Sequence, residues 1–77
     1  MFRTLVKTEG VAVDDQIVPV RYFEVRTKRG SRRYSAEILL SLVDRIILDD
    51  DSLTNLEARA ARLVPATLYS RMLARTA

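Results

Sequence analysis

The sequence contains no cysteine, no histidine and no tryptophan, and it has only two glycines and two prolines. Each absence removes a class of chemistry. Without cysteine there is no disulfide, no thiol nucleophile and no thiolate metal ligand. Without histidine, the usual general base at neutral pH is missing too. With Gly10 and Gly30 as the only glycines, neither a P-loop nor a dinucleotide fingerprint can be written. No cofactor or small-molecule substrate is therefore expected, and the chain is read as a non-enzyme. Long apolar runs are also absent, since none exceeds three residues, far below the ~20 that span a bilayer. The opening MFRTLVKTEG lacks the charged-then-apolar layout of a secretory signal. The expectation is a cytoplasmic protein without a membrane partner.

What is present suits a folded domain. Of the 77 residues, 48% are hydrophobic, too many for a disordered polyelectrolyte. A chain of this size forms one domain, 1–77, with a core only just large enough to hold it. With no disulfide to add to that core, a homodimer is a natural partner arrangement.

The formal charge of +3 conceals three blocks. Residues 1–35 carry eight Lys/Arg against four Asp/Glu, residues 36–57 one arginine against six acids, and residues 58–77 four arginines and no acid. Such alternation serves internal pairing, assembly of copies or an external charged partner equally well.

The first half, 1–48, reads as mainly β. FRTLVK and IVPVRYFEVRT are rich in β-branched and aromatic residues, with turn-prone DDQ and RG between extended segments. Pro19 lacks an amide donor, which suits a sheet edge or a strand start. For the hairpin in RTKRGSRRYS, a two-residue turn at Arg29 and Gly30 sets Phe23 opposite Ala36, Val25 opposite Tyr34 and Thr27 opposite Arg32. These make an apolar face. The other face then pairs Arg26 with Arg33 and Glu24 with Ser35, and carries Tyr22. A three-residue loop with Gly30 left-handed competes but mixes the two faces, so it ranks second. The segment AEILLSLVDRIILDDDS has two readings. It either continues the strand through Ile38, turns near SLVD and forms a short fourth strand in DRIIL, or it forms a helix over 36–48. That helix would be apolar nearly all round and could not be buried in so small a chain, so the strand is preferred.

From Asp51 onward the pattern is helical. Thr54 and Glu57 have capping-box spacing, and Leu53, Leu56, Ala60 and Leu63 recur at steps of three and four. Pro65 ends that helix and opens a second over 66–75, with a stripe of Leu68, Tyr69, Met72 and Leu73 flanked by Arg71 and Arg75. The fold expected is α+β: a small antiparallel meander of three or four strands, then two amphipathic helices over 52–76, broken near Pro65 and packed on one sheet face.

Two clusters invite a site and lose it. Asp49, Asp50 and Asp51 fail as an EF-hand loop, because Leu53 and Thr54 fall where a ligand and a glycine are required. Acids ahead of a helix are explained by its dipole. Tyr69 and Ser70 beside Arg71 have no base to activate them, and Tyr69 is assigned to the core.

The basic hairpin remains. Arg26 and Arg33 as direct neighbours repel one another. With Lys28, Arg29 and Arg32 nearby, and Ser31 and Ser35 as donors, they offer an anion several charge-assisted contacts. The leading reading is a small binding module whose candidate polyanion-binding residues are Arg26, Lys28, Arg29, Arg32 and Arg33, extended by Arg71 and Arg75, with nucleic acid or another polyanion as the partner. The alternative is a protein-interaction or self-associating adaptor that uses its helices and charge blocks against a second copy or an acidic protein surface.

Overall fold

A computed structural model of the chain describes residues 2–76, with side chains as far as Ala74. Four strands follow one another: β1 (Phe2–Val13), β2 (Gln16–Arg26), β3 (Arg32–Leu39) and β4 (Arg45–Asp50). They pair in that order as one antiparallel sheet, and α1 (Leu53–Thr76) crosses one of its faces. The α+β architecture is the expected one, in its four-stranded form. The strand reading of the middle segment holds because period-two alternation sorts its residues. Ala36 and Ile38 are fully buried, and Ile46 and Leu48 pack against the same core. The Leu40 and Ser41 amides donate to the Asp44 carbonyl at 2.9 and 3.0 Å, which closes the intervening turn.

The β2–β3 register differs from the preferred expectation by one residue. Arg26 lies opposite Arg32, Val25 opposite Arg33, Glu24 opposite Tyr34 and Phe23 opposite Ser35. The loop is the three-residue one, Lys28 to Gly30, with Gly30 at φ +80°. The Gly30 amide donates to the Thr27 carbonyl and the Thr27 amide to the Ser31 carbonyl, both at 3.0 Å. The physical reason lies in the turn chemistry. A type I′ turn would force Arg29 into the left-handed region, whereas this loop asks that only of glycine. One consequence is that Tyr22, expected on the polar face, is buried under the helix at 1% exposure, while Phe23 and Val25 turn to the opposite face.

Pro19 lies within β2, a central strand, and not at an outer edge. It pairs with Gly10 of β1, but the register with β3 begins one residue later, at Val20. On the β3 side its position is locally an edge. A bulge between Leu5 and Lys7 shifts the β1 register. Without it the two would share a face; with it Leu5 joins Phe23 and Lys7 joins Tyr22 beneath the helix.

The two helices expected on either side of Pro65 are a single helix of 24 residues with Pro65 inside it. Leu56, Ala60 and Val64 are fully buried and Thr67 is nearly so, a stripe that crosses the proline without a change of phase. An interior proline costs about 3 kcal/mol, and burying side chains of the size of Val and Leu returns ~1.5–3 kcal/mol each. Packing on both sides of Pro65 therefore outweighs the break. The phase also corrects the second stripe: Tyr69 is 64% exposed, not core, because it lies across the helix from Val64. The cap is Ser52, not Thr54, with its Oγ accepting from the Asn55 amide at 3.2 Å.

The core joins Val18, Val20, Tyr22, Ala36 and Ile38 of the sheet to Leu56, Ala60 and Val64 of α1. Among the described residues no helix is long and apolar enough to cross a membrane.

Candidate polyanion-binding site

The β2–β3 loop forms one end of a molecule 46 Å long and 18–19 Å across. The sequence places its cations there by a local rule, since a three-residue loop with glycine at the left-handed position leaves Lys28 and Arg29 pointing to solvent. Both are exposed, as are Arg32 and Arg33. The Ser31 amide donates to Thr27 Oγ1 at 3.1 Å and fixes the tip. An open groove of about 600 Å³ runs along this end, lined by Lys28, Arg29, Arg33 and the acidic Asp51 among others.

Arg26 and Arg33 are not neighbours. The like-charge cross-strand pair is Arg26 with Arg32, and Glu24 relieves it, because its Oε1 stands 3.4 Å from Nε of each. Ser35, offered as a donor to the ligand, is nearly buried. Arg71 does not extend this end. It lies on the last third of α1, where its Nε donates to Asp44 in the β3–β4 turn at 2.8 Å. That contact holds the guanidinium above its ordinary pKa. The Arg75 side chain lies outside the described residues.

Ion pairing elsewhere takes up most of the charge. Lys7 bridges Glu9 at 2.7 Å and Glu57 at 2.9 Å, which ties β1 to α1 and raises the ammonium well above its usual range. Arg59 reaches Asp50 at 3.3 Å and the Asp49 carbonyl at 2.8 Å. Asp50 and Asp49 are consecutive strand residues on opposite faces, so the acidic run does not converge. Asp50 Oδ1 accepts from the Ser52 amide at 2.9 Å, which, with Asp51 and Arg59, holds its carboxyl below the ordinary value. Among the described residues no three acids gather in a way that could hold a metal.

Among the described residues no element lies over the face of the sheet away from α1. In the pairing registers Arg3, Val25 and Arg33 form one row across β1, β2 and β3. Leu5, Phe23, Ser35 and Asp49 form the next, and Thr8, Arg21, Glu37 and Ile47 the one after. Arg3 sits over the Phe23 ring, 3.9 Å from its centroid. Glu37 is 3% exposed, and its carboxylate is gripped by Arg21 at 2.9 Å and Arg45 at 3.2 Å. Lys28, Arg29, Arg33 and Arg62 make no ion pair among the described residues, and the first three stand at one end with Arg3.

Sequence reasoning passed over Arg3, Arg21, Arg45 and Glu37. The signal was available in the second-ranked loop, which sets Arg21 directly opposite Glu37. No protein-family model, no curated protein and no solved structure matches this chain.

Proposed function

We propose that this chain is a small non-catalytic binding module that holds nucleic acid or another polyanion at the β2–β3 end through Lys28, Arg29 and Arg33, with Arg3 beside them. One observation carries the reading. Intramolecular acids take Arg21, Arg26, Arg32, Arg45, Arg59, Arg71 and Lys7, and of the cations left over among the described side chains all but Arg62 on α1 gather at that single end. A domain that needed charge only for solubility gains nothing from such a gathering. Arg26 and Arg32 remain close enough to add to the local potential, although Glu24 offsets part of it. Three phosphate contacts at such a tip give a binding constant that falls as roughly the 2.7 power of salt concentration, at about 0.9 per contact.

A salt titration of binding to labelled DNA or RNA tests this. Replacing Lys28, Arg29 and Arg33 together by Glu is expected to abolish binding, whereas Arg62→Glu on the helix leaves it unchanged. Absence of binding by the native protein at low salt overturns the proposal.

Self-association is the second reading, and one observation favours it: Leu42 and Val43 of the β3–β4 turn are almost completely exposed, and Ile17 and Ile47 stand out from the uncovered face. Light scattering at high concentration decides it, since a strict monomer removes it.

A further inference from the structure

We infer that the ligand is a nucleic-acid duplex and that it lies along the uncovered sheet face, where the guanidinium groups of Arg21 and of Arg45, which stands one pairing row further on opposite Leu39, are drawn together at Glu37 as a second row of phosphate contacts behind the hairpin end. The inference rests on the polyanion reading and gives it a direction. Arg3 and Arg33 flank Val25 in the outermost row, while Arg21 stands in the row of Glu37, four residues further along the strand. At about 3.3 Å per strand residue the two rows are ~13 Å apart. That is close to the ~12 Å width of the major groove of B-form DNA, so a duplex laid across the rows meets phosphate at both.

Glu37 is the positioning residue of the second row. Its buried carboxylate, on the strand between, takes one guanidinium from β2 and another from the start of β4. Each arginine uses one nitrogen for that contact, and their side chains remain 45% and 63% exposed. A guanidinium has further N–H donors, so a phosphate can be met without breaking the pair. Counted over the whole face, Arg3, Arg21, Arg33 and Arg45 stand against Glu37 and Asp49, which leaves it positive. Between the rows Leu5 presents apolar surface, and Phe23 lies under Arg3.

The aromatic residues decide between duplex and single strand. Single strands are held by bases stacking on exposed rings. On this face the one ring among the described residues is Phe23, which is 7% exposed with Arg3 over it, whereas the exposed Phe2 ring stands opposite Arg26 and belongs to the helix side. Tyr22 is buried beneath the helix, and Tyr69 lies on the helix itself. A backbone-reading surface without a stacking platform suits a duplex, recognised by phosphate spacing.

The experiment is fluorescence anisotropy of a labelled DNA duplex and of one of its strands, titrated with protein at several salt concentrations. Native protein is expected to favour the duplex. Arg21→Gln with Arg45→Gln, which leaves an amide donor near Glu37 on each side, is expected to lower the salt slope for duplex by about 2. Arg21→Lys with Arg45→Lys is expected to keep the slope, and circular dichroism checks that both variants fold. If the glutamine variant keeps the native slope while the hairpin variant loses binding, the second row is refuted and the hairpin reading stands. Tighter binding of the single strand refutes the duplex. If light scattering gives a dimer that the glutamine variant dissociates, the face is a contact between copies, and this inference fails.

Discussion

The two faces of the sheet are built from alternate residues of the same four strands, yet they keep water out in different ways. Under α1, Val20, Tyr22, Ala36 and Ile38 are buried by a second layer. On the other face Phe23, Ser35 and Glu37 are nearly as inaccessible with no layer above them. Their cover is local: Arg3 lies on Phe23, and Arg21 and Arg45 close over Glu37. Burial on an open sheet thus comes from the stems of long charged side chains. That cover leaves the charged ends at the surface, where a partner can use them.

Core truncation should separate the faces most sharply. Ile38→Ala, beneath the helix, is expected to cost about 2–5 kcal/mol, read by chemical denaturation. Next in size is Pro65→Ala, which restores an amide donor toward the Ala61 carbonyl in the middle of α1. It is expected to stabilise the protein by roughly 1–3 kcal/mol, below the full proline penalty because the present backbone has already adapted. Destabilisation would mean that the helix is bent around the proline for packing. On the open face, Arg21→Met with Arg45→Met strips Glu37 of both partners. The loss expected is about 1–2 kcal/mol, discounted because the arginines are well solvated. Adding Glu37→Met should then recover most of it, because an apolar triad of similar volume replaces the ionic one. Failure to recover would show that the cluster does more than fill space.

How far the sequence revealed this arrangement depended on which rule acted at each position. Strand alternation in Ala36 to Leu48 and the three- and four-residue steps from Leu53 to Leu63 were legible because local pattern and burial agree there. The β2–β3 register was not. Sorting by polarity preferred Tyr22 outside and Phe23 inside, and both placements are plausible for a pair of adjacent aromatics. The turn decided it, through the left-handed demand at Gly30. Pro65 was misread for the opposite reason: a local rule was overridden by a buried stripe that spans it. For the candidate site, the cations at Lys28, Arg29 and Arg33 were visible as a run, but which of their neighbours are neutralised depends on three-dimensional pairing. Glu24 meeting both Arg26 and Arg32, and Asp44 meeting Arg71 across 27 positions, leave no trace in spacing alone. Gly30→Ala tests the turn argument directly. Nothing lies within 4 Å of the added methyl, so the expected cost of about 1 kcal/mol is backbone strain alone.

The smallest expected effects concern pH, and they belong to the covered side. Asp50, on the strand that leads into α1, has its carboxyl held below the ordinary value, chiefly by the Ser52 amide. Its stabilisation is complete above the unfolded value of about 4 and is lost as pH falls through the lower folded value. Asp50→Asn should therefore be less stable than native protein at neutral pH and converge with it in acid. Tyr22 runs the other way. Burial, and then the charges of Glu9 and Glu57, push its phenol up, so the neutral ring's contribution is intact below about pH 10 and is lost as pH rises beyond the unfolded value. Tyr22→Phe should shrink the alkaline limb of the stability profile, leaving the part that belongs to Lys7 with Glu9 and Glu57, and leave the acid limb to Asp50. If the alkaline limb of Tyr22→Phe is the same as that of the native protein, the ring is not shielded beneath the helix, and the contrast between covered and open faces fails at the residue where it is most pronounced.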